Sequence, residues 1–256
     1  MIKYLLLIII SIPVIGLADC DEKLVDAVRG KLGYIEERDE YSEFIDCKKT
    51  PNNPRNSIIA IAKRKAGTEI NDSPTMGDYN LDIVIANTSS GKIAHHHFHD
   101  SRFISDGFRL GGLSIDTGKY YISPGVRAFG IRTSHHIDAG FMSSQALSLY
   151  VLDKGNIREV LSDADLYIGY WMKATIDQTM KREANRVVEI SKSLTNGFYD
   201  LQITESLVDS IEKDNELETK QDIINTEIKK YKLQFNKKSR SYLIPNEMRE
   251  FDCKVC

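Results

Sequence analysis

The chain has 256 residues, with 34 Lys and Arg against 37 Asp and Glu, and its formal net charge at pH 7 is −3. This near balance of positive and negative charges provides no basic surface to hold a phosphate backbone or an anionic lipid surface. We therefore expect no nucleic acid partner. Hydrophobic residues make up 41% of the chain. That proportion and length can bury a core that needs no metal to fold.

The first eighteen residues have the pattern of an export signal. Lys3 precedes an apolar run from Tyr4 to Ile15, and the small residues leading to Ala18 are typical of cleavage by a signal peptidase. We therefore predict a signal peptide over residues 1–18, a single β-rich domain over residues 19–256, and a periplasmic or secreted location.

Two membrane alternatives are less favoured. The apolar run is shorter than the roughly 20 residues of a bilayer span, and no later segment is apolar enough for a transmembrane helix. A lipoprotein needs a small residue before its lipid-bearing cysteine, whereas Asp19 precedes Cys20. Cleavage after Ala18 without a lipid anchor is therefore the preferred interpretation.

All four cysteines follow the predicted cleavage site: Cys20, Cys47, Cys253 and Cys256. An even number in an oxidising compartment indicates two disulfides. The local pairing joins Cys20 to Cys47 and Cys253 to Cys256, whereas crossed pairings would tie the tail to the amino-terminal segment, and the sequence leaves this choice open. A redox dithiol at the tail and a zinc site of four thiolates are lesser alternatives.

The first predicted element of the mature chain is a short amphipathic helix within residues 21–39. Leu24, Val25 and Val28 follow the helical spacing there. From Ser57 onward the apolar residues alternate with a period of two, and turn-forming residues separate the runs. Strands are therefore expected through most of the remaining chain.

Several runs come as pairs joined by turn-forming residues, which predicts antiparallel hairpins. The clearest pairs join residues 81–86 to 92–99, 147–152 to 157–161, and 231–235 to 241–244. Hairpins that recur without intervening helices predict a mainly β fold, in a sandwich or a propeller-like arrangement, with the short amino-terminal helix added. Residues 211–221 are acidic and lack an apolar stripe, which predicts a solvated loop or an excursion from the fold.

Some segments resemble known proteins. Residues 77–87 (GDYNLDIVIAN) and 196–203 (NGFYDLQI) are similar to the sequence motifs in the blades of FG-GAP-type β-propellers. The segments at 47–51, 113–117, 124–130 and 147–151 resemble a group of secreted proteins of Gram-negative bacteria. This resemblance implies a periplasmic, β-rich protein, and the group carries no activity that could be transferred.

Histidine placement is the sharpest chemical signal. The six histidines lie in two patches, His95, His96, His97 and His99 in one and His135 and His136 in the other. On a strand, His95, His97 and His99 would share a face at steps of roughly 7 Å, a spacing that suits a zinc or copper site with His135 or His136 as a further ligand. The alternatives are an exposed polar strand and a pH-sensing cluster.

Motifs for catalysis are absent from the sequence. There is no Gly-x-Ser-x-Gly elbow, no His-Glu-x-x-His helix and no glycine loop that would cradle a phosphate before a helix. Asp78, Asn80 and Asp82 repeat the first ligands of a calcium loop, but Ile83 stands where such a loop needs glycine, so a strand is favoured. We assign no catalytic residue and no bound cofactor other than the possible zinc or copper.

These observations lead to a ranked expectation. The first is a non-enzymatic β scaffold that binds a macromolecular partner in the cell envelope through loops or a strand edge, a class that includes inhibitor and immunity-type proteins. The alternative is a metal-binding protein that uses the histidine strand. A hydrolase without a recognisable motif comes third, and the oligomeric state is left open.

Overall fold

The structure is a computed structural model, and it describes residues 20–34, 42–71, 73, 75–137, 140–175, 178–214 and 219–249. The predicted signal peptide over residues 1–18 lies outside these ranges, and so do Cys253 and Cys256. Export, cleavage and the pairing of the last two cysteines therefore stay predictions.

The described part of the chain forms two short helices and thirteen strands. The elements in chain order are α1 (Glu22–Lys31), β1 (Glu43–Thr50), β2 (Asn53–Arg64), β3 (Gly77–Asn87), β4 (Ile93–Ser105), β5 (Arg109–Ser123), β6 (Val126–His136), β7 (Met142–Asp153), β8 (Asn156–Thr175), β9 (Gln178–Thr195), β10 (Phe198–Asp214), β11 (Thr219–Leu233), β12 (Phe235–Asn236), β13 (Ser241–Tyr242) and α2 (Asn246–Arg249).

Each strand pairs antiparallel with its neighbour in sequence, and the pairs build two main sheets. Strands β1 to β4 form a four-stranded sheet, which we call the small sheet. Strands β5 to β11 form a seven-stranded sheet, the large sheet, and β12 pairs with β13. Every connection is therefore local, which is typical of hairpins that form one after another.

Strand β3 of the small sheet is buried on both faces. Along β3, Leu81, Ile83 and Ile85 project to one face, and Val84 and Ala86 project to the other, and all five side chains are buried. The first set joins residues of β5 to β8 in one apolar cluster, so the two sheets pack against each other. The second set packs under helix α1.

Helix α1 covers the outer face of the small sheet. Asp21 caps its first turn by accepting a hydrogen bond from the backbone N–H of Lys23 at 3.1 Å. Leu24, Val25 and Val28 are buried, which confirms the predicted amphipathic stripe. A disulfide between Cys20 and Cys47 joins the start of the helix to β1, so the local pairing is the one present for these two cysteines.

The large sheet curves over a second apolar cluster. Leu147, Leu149 and Val160 of β7 and β8 meet Leu201 and Ile203 of β10 there. Strand β12, strand β13 and helix α2 cover the same cluster with buried side chains. The end of the described chain therefore packs against the large sheet.

The first two predicted hairpins are confirmed, and the third is confirmed only in part, because residues 231–233 belong to β11 and pair with β10. β3 and β4 contain the first pair, and β7 and β8 contain the second, where Lys154 and Gly155 take φ values of 50° and 86°. A two-residue loop with both φ values positive matches the twist of antiparallel strands. The third hairpin is reduced to the short pair β12 and β13, in which Phe235 faces Tyr242.

The prediction of a solvated loop over residues 211–221 is wrong. β10 runs to Asp214 and β11 starts at Thr219, and the two strands remain paired up to these residues, with one register shift between Asp209 and Ser210. Backbone hydrogen bonds between neighbouring strands need no apolar stripe, so a polar sequence can continue a hairpin that its buried half has started. Only residues 215–218 of this segment lie outside the described ranges.

The fold class is thus shown at the level of a mainly β protein made of antiparallel hairpins with a short amino-terminal helix. A propeller is not confirmed, because seven consecutive strands share one sheet instead of forming repeated four-stranded blades. Within the described ranges, neither helix is long and apolar enough to cross a membrane.

Candidate functional site

The histidine-rich segment lies on β4, the last strand of the small sheet. Burial alternates along it, with His95, His97 and His99 half-buried and His96 and Phe98 exposed. The three half-buried histidines therefore share the face that turns towards the large sheet, as the alternation of a strand predicts.

His95 is fixed by the turn between β7 and β8. Its Nδ1 lies 2.7 Å from the carbonyl oxygen of Gly155. A carbonyl oxygen only accepts hydrogen bonds, so Nδ1 carries the proton and donates. In the neutral ring, Nε2 of His95 is then an acceptor with its lone pair available.

His97 is the most enclosed histidine of the strand. Its ring centroid lies 6.3 Å from that of His99 and 5.9 Å from that of Tyr150. Burial lowers the pKa of His97 below its usual range, and the neighbouring His99 lowers it further. Among the described residues, the buried Nε2 atom of His97 has no hydrogen-bond partner. This nitrogen is therefore available to bind a ligand such as a metal ion.

The second patch lies on β6. His135 stacks on Phe108 with ring centroids 5.4 Å apart, and Phe103 lies 6.3 Å away. Burial lowers the pKa of His135, although the nearby carboxylate of Asp163 opposes this shift. His136 ends the strand beside Gly111 of β5.

The predicted ligand set is not assembled as a metal site. Within the described ranges, no three His, Cys, Asp or Glu side chains are placed to hold one metal ion. The set stays a prediction, and its members are His95, His97, His99, His135 and His136. Because β4 and β6 belong to different sheets, their approach depends on how the sheets pack, which spacing along the chain does not encode.

A charged network lies beside the histidines, and no sequence motif predicts it. Nη2 of Arg102 lies 2.9 Å from Glu159 and 2.9 Å from Asp163, and it also donates to Ser148 at 3.1 Å. Tyr150 donates to the same carboxylate oxygen of Glu159 at 3.2 Å. Arg102 therefore links the edge of the small sheet to β7 and β8 across about sixty residues of chain.

The outer face of β4 carries a second polar group that the sequence analysis missed. Nε2 of His96 lies 2.6 Å from Oδ1 of Asp82, and the Tyr34 hydroxyl donates to Oδ2 at 2.5 Å. Burial and the Asp82 carboxylate raise the pKa of Tyr34. Asp82 is thus a buried strand carboxylate with two partners, which agrees with the strand interpretation and not with a calcium loop.

Replacing His135 with phenylalanine is expected to reduce the loss of stability in mild acid. The folded-state pKa of His135 is lowered, so below about pH 6.5 the unfolded chain takes up a proton that the folded protein resists. Stability therefore falls as pH falls through this window, with a slope of up to about 1.4 kcal/mol per pH unit for this group. Urea unfolding at several pH values between about 5 and 8 measures it.

Above about pH 7.5 the two proteins should show parallel pH dependence, because His135 is neutral in both states there. An unchanged slope in the acidic window for the phenylalanine variant would show that His135 takes up its proton equally in both states.

Comparison with known proteins gives no assignment. No protein-family model, no curated protein and no solved structure matches this chain.

Proposed function

We propose that the protein is an exported, non-enzymatic β scaffold that binds a macromolecular partner of the cell envelope through strand β11. The observation that carries this proposal is the outer edge of this 15-residue strand, which is exposed over residues 220–230 and pairs with no further strand of the described ranges. Inhibitor and immunity-type proteins belong to the same class. The disulfide between Cys20 and Cys47 supports export, since disulfides persist in oxidising compartments.

The edge strands β1, β5 and β4 all make contacts with the opposite main sheet. At the first edge of the large sheet, the backbone N–H of Ile115 donates to Asp46 at 2.6 Å, and Lys48 donates to the Ile115 carbonyl at 2.6 Å. These contacts dock β1 against β5. At the edge formed by β4, His95 and Arg102 bond to the turn and strand of β8. Native sheets protect their edges in this way, because an open edge pairs with other chains.

Strand β11 is different. Within the described ranges it pairs with β10 on one side and with no strand on the other. Residues 220–230 are all exposed. The row of backbone N–H and C=O groups on its outer side is therefore open to another chain, which could add a strand there by main-chain hydrogen bonds.

The side chains of β11 add recognition to this edge. Ile223 and Ile228 pair with Ser210 and Ser206 of β10, and Ile228 has 58% of its surface exposed. Ser210 and Ser206 are an even number of residues apart, so the two isoleucines project to the same face. Exposed apolar side chains next to an open edge are typical of contact surfaces.

The double substitution Ile223→Lys and Ile228→Lys is expected to abolish partner binding while leaving the fold intact. Both side chains are exposed, so the cost to stability is small, whereas two added charges oppose burial of the face. The mature protein, immobilised through an engineered tag, is incubated with an envelope extract, and bound protein is quantified. We expect recovery of a specific protein to fall by at least about ten-fold.

Ile104→Lys is the matched control, because Ile104 is 63% exposed and lies on β4, away from the open edge. It should retain full recovery. Equal recovery with all three baits, or no protein enriched by the native bait, would contradict the proposal.

One observation favours metal binding as a second candidate function. The rings of His97 and His99 are adjacent, and Nε2 of His97 is buried without a partner, a state that a zinc or copper ion would relieve. Elemental analysis of the untagged protein is expected to find near-stoichiometric metal. Replacing His95, His97 and His99 together should remove it, and His96→Gln, on the opposite face, should not. An untagged protein free of metal would exclude this candidate.

A further inference from the structure

A cleft of about 250 Å³ opens between the two sheets, beside the β1–β2 turn, and is lined by residues of both sheets. Its floor is apolar and includes Ile58, Ile85 and Phe129. Its mouth is polar and includes Asn52, His95 and Arg127. A concave apolar site with a few polar groups at the rim is the usual form of a small-molecule site.

Arg127 places a positive charge at this mouth. Its guanidinium donates to the carbonyl oxygens of Thr117 at 2.6 Å and Gly118 at 3.1 Å, and to the side-chain oxygen of Asn52 at 3.1 Å. Among the described residues, no carboxylate lies within ion-pair distance of Arg127. The cation is therefore held in position by neutral dipoles, and its charge is not neutralised by the protein.

His95 adds a second polar group to the mouth. Its Nδ1–H is committed to the carbonyl oxygen of Gly155, so the ring orientation is fixed and Nε2 is the nitrogen left to meet a ligand. His95 thus contributes an oriented polar atom, and the charge of Arg127 favours a ligand with a negatively charged head on an apolar body.

We infer that this cleft binds a small monocarboxylate with an apolar body, seated with its chain against Ile58, Ile85 and Phe129 and its carboxylate at Arg127. The charge-assisted hydrogen bond to the guanidinium gives preference for the anion over a neutral molecule of the same shape. This site lies on β1 to β7, apart from the open edge of β11, and it does not depend on the partner-binding proposal.

The test uses the mature protein, the neutral fluorescent probe N-phenyl-1-naphthylamine, and octanoate and octan-1-ol as competitors. Bound probe is expected to fluoresce and to be displaced by octanoate at a concentration about ten-fold lower than by octan-1-ol. Arg127→Gln should remove this preference by weakening octanoate alone. Arg127→Lys, which keeps the charge, should retain part of it.

Two further variants keep the result interpretable. Leu152→Trp, at a half-exposed position that lines the cleft, should weaken the probe and both competitors together. Lys192→Gln removes an exposed positive charge that does not line the cleft and should change nothing. Absence of probe binding, equal displacement by the acid and the alcohol, or an octanoate preference that survives in Arg127→Gln would each overturn the inference.

Discussion

Replacing Arg186 with leucine is expected to lower the free energy of unfolding by about 3–5 kcal/mol. The Arg186 side chain is 1% exposed and that of Glu205 is 5% exposed, and Nε of Arg186 donates to Oε2 of Glu205 at 2.7 Å. Nη2 also donates to the carbonyl oxygen of Met248 at 2.9 Å, which ties helix α2 to the large sheet. Without the guanidinium, the Tyr231 hydroxyl at 3.2 Å is the one side-chain partner left to this buried carboxylate among the described residues.

The control for this prediction is the double variant Arg186→Leu and Glu205→Leu. It removes both charges, and apolar replacement of a buried ion pair is often neutral or stabilising, so the double variant should be more stable than Arg186→Leu alone. Urea unfolding of the wild type, the two single variants and the double variant measures the coupling. A single variant within about 1 kcal/mol of wild type would show that Glu205 is solvated or protonated at little cost.

Removing the Cys20–Cys47 disulfide is expected to destabilise the protein by about 2–4 kcal/mol. The bond closes a loop of 27 residues, and without it the unfolded chain gains conformational freedom. Helix α1 should remain docked, because Arg29 also donates to Glu43 at 2.8 Å in a buried pair. Replacing both cysteines with alanine avoids a free thiol, and urea unfolding gives the difference.

The matched control is the wild type treated with a reductant. If the disulfide acts as described, the reductant should lower wild-type stability towards that of the double-alanine variant and leave the variant itself unchanged. Equal stability of the oxidised wild type and the variant would show that apolar packing and the Arg29–Glu43 pair hold the helix without help from the disulfide.

The local elements of this fold were predictable from the sequence. The hairpin of β7 and β8 was indicated by two apolar runs around Lys154 and Gly155, and helix α1 by the spacing of its buried residues. Each signal comes from residues close together in the chain. The distal half of β10 and β11 was missed because pairing there rests on backbone hydrogen bonds, and its side chains are mostly polar.

The candidate sites were predicted only in part. The shared face of His95, His97 and His99 follows from strand alternation, but the placement of their neighbours does not. Arg102 meets Glu159 and Asp163 only because the edge of the small sheet packs on β8, and Asp82 meets Tyr34 only because the chain beyond helix α1 crosses the outer face. Such contacts depend on tertiary packing. The periodicity of apolar residues in one sequence indicates local structure and does not reveal this packing.

Site-specific photo-cross-linking from β11 is the direct test of whether an envelope protein binds along this strand. A benzophenone amino acid is introduced at Ile228 or, as the control, at Ile104, and the full chain is irradiated in the cells that produce it. If a partner binds through the open edge of β11, one discrete adduct with an envelope protein should form from position 228 and none from position 104. Adducts of equal yield from both positions, or none from position 228, would contradict binding through the open edge of β11.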